Sequence, residues 1–285
     1  MKNLSNKRKA ILVKMCITVY PKLARPETSI PMEMFESFNT FSVNEAQGAT
    51  GIYKDEELGK VACVIFRGSD EKDDWRDNFD IKMIKKTIDD GADLVVPYGR
   101  EDTKIRMHQG FVQHYGLVRD MIRDFIKKCI EDGIKYIYIT GHSLGAAVTT
   151  VCTIDIHYML ATEMGLKINE EGGIDLTGYA AACPNVGNDA FVASFNKRMK
   201  GNFYSEWFGA DTVHFIPPWW LGFRATDQQK EYNDFWSILQ KPFVTWGFIG
   251  SLFIPPVAAY DHYPQKLLAA IEGKPIPRFN DLPKM

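Results

Sequence analysis

The sequence has little net charge and no long apolar run. Its 285 residues include 34 basic and 36 acidic side chains, which gives a formal net charge of −2 at pH 7. Such a balance provides no basic field to attract nucleic acid, and it does not favour an anionic membrane. No stretch reaches the roughly 18 uninterrupted apolar residues that a membrane-spanning helix requires. We therefore expect neither a nucleic-acid partner nor a transmembrane segment.

Cysteine is equally sparse. The five cysteines are scattered and include no C-x-x-C pair, so neither a metal site nor a disulfide framework is predicted. Four of them lie within apolar patterns and are expected to be buried free thiols: Cys63, Cys129, Cys152 and Cys183. Free thiols of this kind are typical of a reducing compartment.

The N-terminus lacks a recognisable signal peptide. Basic residues precede an apolar stretch from Ala10 to Tyr20, but Lys14 interrupts it and no small-x-small cleavage site follows. An amphipathic helix over residues 5–20 is the better interpretation. Together with the free thiols, this favours a cytoplasmic location over export without a recognisable signal.

Internal repeats and low-complexity linkers are also missing from the sequence. With 45% hydrophobic residues, the chain is long enough for one domain with a large core. Buried-strand patterns such as Lys60–Phe66 alternate with helical patterns such as Phe111–Ile130, which favours a largely parallel α/β sheet. We expect residues 1–285 to form one domain that ends in an extended strap over residues 273–285.

The clearest chemical signal lies around Ser143. An apolar, β-branched run from Ile134 to Thr140 predicts a buried strand, and a helical pattern from Leu144 to about Met164 follows. Between them, Gly141–Gly145 fits G-x-S-x-G. A serine on a tight strand-to-helix turn is the context of a nucleophile elbow, where the helix N-terminus faces any oxyanion that forms. The sequence therefore predicts a nucleophilic serine.

Such a serine needs a base, which in α/β hydrolases follows it in the chain. His157 falls about four turns along the predicted helix after Ser143 and points away from it. His214 lies three residues after Asp211 in an apparent strand. His262 lies in a loop before a helix, from which a base can reach inward. By elimination we expect His262 to be the base, the alternative being a surface histidine at the start of that helix.

Five short blocks occur in an order that is known from one family. They are Phe66-Arg67-Gly68-Ser69 with Asp74-Trp75, His108-Gln109-Gly110-Phe111, Gly141 to Ala147, Pro184-Asn185-Val186-Gly187-Asn188, and Asp211 to Pro218. Each block is weak alone, but five in order form a specific pattern over residues 66–262. The chain resembles the class 3 lipases, the fungal-lipase-like branch of the α/β hydrolases.

The resemblance implies an α/β-hydrolase fold, with a mostly parallel central sheet flanked by helices and no metal or organic cofactor. It implies Ser143 as the nucleophile, Asp211 as the acid and His262 as the base. The oxyanion hole is expected at the backbone N–H groups of Ser69 and Leu144.

Three positions depart from the pattern of the family. Ala146 replaces a glycine inside the helix and should be harmless, whereas Asn185 replaces an arginine with no evident consequence. Asn78 occupies the position where several relatives have an Asp that supports the oxyanion serine. Asp77 and Asp80 flank it, so the sequence does not say which residue supports Ser69.

The stretch that corresponds to a lid, Asp70–Asp77, is highly charged and has one large aromatic residue, Trp75. A charged lid favours soluble or short-to-medium acyl esters over strong activation at a lipid surface. We expect Trp75, Asn78, Trp219 and Trp220 to contact substrate or a lid. The aromatic pair and the stretch Phe243–Phe253 are alternatively core and loop packing, an acyl-binding wall or a patch that contacts lipid transiently.

These patterns predict a serine carboxylic-ester hydrolase acting on a small-molecule or lipid ester through an acyl-enzyme. Phospholipase A1, a feruloyl-type esterase and a monoacylglycerol lipase all remain open within that class. The alternative in another class is a catalytically idle scaffold that acts through protein contacts. The presence of all three triad residues and of Ser69 argues against the scaffold.

Overall fold

The computed structural model describes residues 4–68, 83–85, 105–226, 229–234 and 261–282. Several expectations lie outside these ranges: Ser69, the lid stretch Asp70–Asp77 with Trp75, Asn78, and the aromatic stretch Phe243–Phe253. The predicted strap is described as far as residue 282. It contains one short 3-10 turn, Phe279–Asp281.

The described part of the chain contains a seven-stranded sheet in the order β1-β2-β3-β6-β7-β8-β9. The first three strands pair antiparallel, and the pairs from β3 to β9 are parallel. A separate antiparallel pair joins β4 to β5. The strands are β1 Phe35–Val43, β2 Ala46–Asp55, β3 Gly59–Phe66, β4 Met83–Lys85, β5 Arg106–His108, β6 Tyr136–His142, β7 Asp175–Ala181, β8 Phe203–Phe208 and β9 Gln229–Tyr232. This confirms the mostly parallel α/β sheet.

Helices cover both faces of the sheet. They are α1 Asn6–Thr18, α2 Gln109–Gly116, α3 Arg119–Glu131, α4 Leu144–Tyr158, α5 Asp189–Met199 and α6 Pro264–Glu272. The apolar side chains of α2, α3, α4 and α5 form one core with one face of the sheet. Those of α1 and α6 form a second core with the opposite face. Both faces of the parallel strands β3, β6, β7 and β8 are therefore buried, which suits their largely apolar sequences.

The single helix predicted over Phe111–Ile130 is wrong, because the structure has two helices there. α2 ends at Gly116, and Val118 leaves the helical region with φ −122° and ψ 1°. Glycine is a poor helix former, which favours a break at this point. Tyr115, Val118 and Ile122 are nevertheless all buried. The apolar spacing therefore predicts which residues face the core, but it does not predict whether the helix is continuous.

Helix α4 is the core element behind the predicted nucleophile. Its carboxyl end continues in a π-helical turn, Met159–Glu163, and Gly165 follows with φ 66°. Of the described helices, this stretch from Leu144 to Glu163 is long and apolar enough to cross a membrane. However, 78% of its apolar window is buried inside the molecule. It packs as the central helix of the fold.

A buried carboxylate attaches α2 and α3 to α4. Asp155 on α4 is fully buried and accepts hydrogen bonds from the Tyr115 hydroxyl and the Arg119 guanidinium, each at 2.8 Å. Burial raises the pKa of Asp155, and the hydrogen bond and charge of Arg119 act against that rise. This contact fixes the helical layer behind the elbow.

Candidate active site

Ser143 lies at the sharp turn between β6 and α4. Its backbone has φ 62° and ψ −128°, a conformation that is rare outside glycine. The neighbouring glycines are required by space, since a Cβ at Gly141 would lie 2.3 Å from the Gly145 carbonyl oxygen. A Cβ at Gly145 would lie 2.6 Å from that of Phe66. The G-x-S-x-G segment therefore forms the elbow that the sequence predicts.

Asp211 follows β8. Because β6, β7 and β8 run parallel, their carboxyl ends lie at the same end of the sheet, so Asp211 and the Ser143 turn are on the same side. Its side chain is fully buried, and Oδ1 accepts the Val213 backbone N–H at 2.9 Å. The expectation of one strand through Asp211 and His214 is wrong. Val213–Phe215 form a 3-10 turn, and its first N–H donates to the Asp211 carboxylate.

His262 lies immediately before α6 and meets this carboxylate. Its Nδ1 is 2.8 Å from Oδ2 of Asp211, and both side chains are buried. An ionised carboxylate only accepts hydrogen bonds, so Nδ1 carries the proton and Nε2 is the basic nitrogen of the neutral ring. The structure thus brings together the acid and the base that the sequence indicates.

The two competing histidines lie elsewhere. His157 is on α4, and burial, with the Arg198 charge, lowers its pKa to about 4. His214 stacks on Trp207 with ring centroids 4.2 Å apart. These contacts put His157 in the helix and His214 against Trp207, and the assignment of His262 as the base stays a prediction.

The segment before Ser69 passes directly against the elbow. A Cβ at Gly68 would lie 3.0 Å from the Cβ of Ser143, so the backbone approaches the serine as closely as glycine allows. The Gly68 N–H donates to the Tyr20 hydroxyl at 2.7 Å. Leu144 is the first residue of α4, where the N–H groups have no acceptor within the helix.

His142 connects three parts of this region. Its Nδ1 is 3.1 Å from the Tyr20 hydroxyl, and its Nε2 is 2.8 Å from the backbone carbonyl of His262. Since a carbonyl only accepts, Nε2 carries the proton and Nδ1 accepts from Tyr20. Burial and the nearby His262 lower the pKa of His142, which keeps the ring neutral. His142 thus packs beneath the elbow with a hydrogen-bond partner on each ring nitrogen.

Sequence reasoning missed the partners of Asn185. Its side-chain amide donates to the Pro217 carbonyl at 2.9 Å, and its backbone N–H donates to Ile216 at 2.8 Å. Asn185 thereby ties the loop after β7 to the segment after Asp211. No signal in the sequence pointed to this role, because the two partners are 31 and 32 residues away.

Four large apolar side chains in the segment after Asp211 are exposed. Trp219 is 68% exposed and Trp220 51%, on a 3-10 turn that also includes Leu221. Phe215 is 50% exposed. Core packing therefore does not describe this pair, since both indoles are largely exposed, whereas packing within the loop and contact with substrate or lipid stay predictions.

The strand order, the elbow and the buried Asp–His pair define an α/β hydrolase. The model of one family, Lipase (class 3), matches residues 63–220. This match covers more than half of the sequence, and the chain belongs to the class 3 lipase family.

The chain is similar in sequence and in structure to known lipases and a phospholipase. A secreted mono- and diacylglycerol lipase of Malassezia globosa is 31% identical over 148 residues, covering 52% of this chain and 44% of the relative. A phospholipase A1-II of Oryza sativa subsp. japonica is 28% identical over 155 residues, covering 49% and 36%. The matches thus span less than half the length of these relatives. Among solved structures, a Rhizomucor miehei lipase propeptide complex has a TM-score of 0.61 at 20% identity, covering 80% of this chain and 67% of that one.

The expected cytoplasmic location is wrong. Secreted lipases are among the relatives, and they point to export. The five cysteines are buried free thiols, as expected for four of them, but they do not identify the compartment. A thiol shielded by the core can persist wherever the folded chain resides, because reactivity depends on exposure as well as on thiolate formation.

Proposed function

We propose that this chain is a serine carboxylic-ester hydrolase that cleaves acyl esters through an acyl-enzyme. Ser143 is the nucleophile, His262 the general base and Asp211 the acid that orients it. The observation that carries the proposal is the buried 2.8 Å contact between His262 Nδ1 and Asp211 Oδ2, at the sheet edge that bears the Ser143 elbow. Family membership supports the same class of reaction.

The proposed reaction has two halves. His262 Nε2 takes the proton from Ser143 as Oγ attacks the ester carbonyl, and Asp211 stabilises the imidazolium that forms. The tetrahedral oxyanion accepts hydrogen bonds from the backbone N–H groups of Ser69 and Leu144. His262 then protonates the leaving alcohol, and a water molecule repeats the sequence to release the acid.

We propose a lipid or small acyl ester as the substrate. The relatives named above include a lipase for mono- and diacylglycerols and a phospholipase A1, so glycerides and glycerophospholipids are the first candidates. The exposed pair Trp219 and Trp220 is proposed to contact the acyl chains or the lipid surface. Trp75 and Asn78 remain predicted contacts of the lid region.

The test is hydrolysis of p-nitrophenyl butyrate by the wild type and by Ser143→Ala. We expect Ser143→Ala to fold normally and to lose on the order of 10⁴- to 10⁶-fold in kcat, because triad members act as a unit. A fluorophosphonate probe should label Ser143 in the wild type and nothing in the variant. Retention of more than about a tenth of the turnover would remove Ser143 from the mechanism.

A further inference from the structure

Asp261 is a buried carboxylate that the proposed reaction does not use. It directly precedes His262 and is 3% exposed. Its Oδ2 accepts the backbone N–H of Ala210 at 2.8 Å, and its Oδ1 accepts a hydrogen bond from Lys266. Asp261 thus has two specific partners, and neither is the imidazole next to it.

The hydrogen bond between Asp261 and Ala210 joins the same two segments as the hydrogen bond between His262 and Asp211. Ala210 directly precedes Asp211, just as Asp261 directly precedes His262. The same two loops are therefore joined twice, by Asp261 with Ala210 and by His262 with Asp211, each at 2.8 Å. Two adjacent contacts fix both the separation and the relative orientation of the loops, whereas one contact leaves them able to rotate.

Lys266 occupies an unusual place for a cation. It is the third residue of α6, where the helix dipole disfavours positive charge, and it is only 3% exposed. Its ammonium lies 4.7 Å from the centroid of the Phe208 ring, at the end of β8. A buried cation at a helix N-terminus requires a close anion, and Asp261 provides it. The pair thereby attaches the Asp261 loop to α6 and to β8.

We infer that Asp261 is a positioning residue of the proposed hydrolase: through the Ala210 N–H it holds Asp211 and His262 in register, with Lys266 as its counter-ion. This inference rests on the proposed function. Asp261 touches neither the substrate nor the reacting atoms in this scheme. Its effect reaches the reaction through the geometry of the Asp211–His262 pair, where small displacements are costly.

The test compares two double variants that share one change. Single substitutions would leave Lys266 or Asp261 as an uncompensated buried charge and could prevent folding. Asp261→Asn/Lys266→Met removes both charges and keeps a carbonyl oxygen that can accept the Ala210 N–H. Asp261→Ala/Lys266→Met removes both charges and that acceptor as well. The two variants therefore differ in the contact under test.

The first measurement is the turnover per active site, for which the concentration of active sites is determined by titration with a fluorophosphonate. We expect the Asn/Met variant to retain kcat within a few-fold of the wild type, as a conservative rescue. The Ala/Met variant should lose about 10²-fold in kcat with little change in KM. Equal kcat in the two variants would overturn the inference and reduce Asp261 to half of a structural ion pair.

The Nδ1 proton of His262 gives a readout that is independent of ester hydrolysis. Its proton resonance in ¹⁵N-histidine-labelled protein, assigned by its loss in His262→Gln, should keep its shift in the Asn/Met variant. In the Ala/Met variant it should move or broaden. If the wild type hydrolyses no ester while this difference persists, the hydrolase proposal fails and the positioning role stands. An unchanged resonance in both variants would overturn the positioning role whatever the activity.

Discussion

Ser143 is held in a backbone conformation that costs free energy. A non-glycine residue at φ 62° and ψ −128° persists only when its surroundings determine it, and such strain is concentrated at functional sites. Here the Ser143 N–H donates to Ala181 at 3.0 Å, and Gly141 and Gly145 close tightly around the turn. The backbone of the turn is therefore held in one conformation, and in the proposed reaction it needs no rearrangement before Ser143 attacks.

Asp211, the proposed acid, is open to a direct test, because its two carboxylate oxygens have separate partners. We expect Asp211→Asn to lower kcat by about 10⁴-fold, since an amide no longer enforces the tautomer in which Nε2 of His262 is basic. Steady-state kinetics with a soluble ester measure this effect. The Asn side chain still offers an oxygen to the Val213 N–H, so the melting temperature should change little. Nearly normal turnover in a folded variant would show that Asp211 is not the acid.

The central residues of the candidate site could be predicted from the sequence, and the residues that support them could not. Ser143 and Asp211 lie in short motifs, and chain order distinguishes His262 from the other histidines that follow Ser143. Tyr20 and Asp261 act through contacts with residues 48 and 51 positions away, at Gly68 and Ala210. Local patterns carry no information on such partners, because only the tertiary fold brings them together.

Among the elements, a long apolar pattern reveals the type of the element but not where a helix breaks, as between α2 and α3, and short elements reveal neither. β3, β6 and α4 have long apolar patterns that determine their type. β9 has four residues, Gln229–Tyr232, and pairs with β8 by backbone hydrogen bonds. Its short polar sequence gives no strand pattern from which this pairing could be predicted. The segment through Asp211 and His214 resembles a strand in sequence, but it contains the 3-10 turn Val213–Phe215, whose first N–H donates to the Asp211 carboxylate.

The exposed turn Trp219–Leu221 gives a prediction at this scale. Because Trp219 and Trp220 are largely exposed, Trp219→Ala/Trp220→Ala should not change the melting temperature. If the turn contacts lipid, apparent affinity for an emulsified or vesicular ester should fall by about 10-fold or more, since each indole loses apolar contact. Turnover of a soluble acetate ester should be unchanged.

A matched control is available at another exposed apolar site. Leu117 and Met121 are 44% and 42% exposed, at the α2–α3 junction. Leu117→Ala/Met121→Ala removes exposed apolar surface without touching the candidate site. Equal effects of the two double variants on the emulsified substrate would attribute the change to general surface hydrophobicity and would remove the specific role of the tryptophans.

At the scale of the whole molecule, the N-terminal region contributes directly to the site. The family match begins at residue 63, yet α1 packs in the core under α6, and Tyr20 bonds both Gly68 and His142. The single-domain organisation over residues 1–285 stays a prediction, and these contacts are the support for it. Loss of α1 should therefore affect the site as well as stability.

A buried ion pair attaches α1 to the sheet. Lys9 Nζ lies 2.5 Å from Oε1 of Glu206 on β8, and these residues are 8% and 1% exposed. Oε2 of Glu206 accepts the Tyr179 hydroxyl from β7 at 2.8 Å. Because each charge compensates the other away from water, removing one should cost much more than removing both.

We expect Lys9→Met and Glu206→Gln each to lower the free energy of unfolding by about 3–5 kcal/mol, with the double variant recovering most of that loss. Urea unfolding followed by circular dichroism measures all three. Lys7→Met is the control, since Lys7 pairs with Glu56 in solvent and its loss should leave the urea midpoint unchanged. If Lys9→Met and Glu206→Gln destabilise the protein no more than Lys7→Met does, water reaches the pair, and α1 is held by its apolar face. A double variant as unstable as the singles would mean that the contact itself, rather than the uncompensated charge, provides the stability.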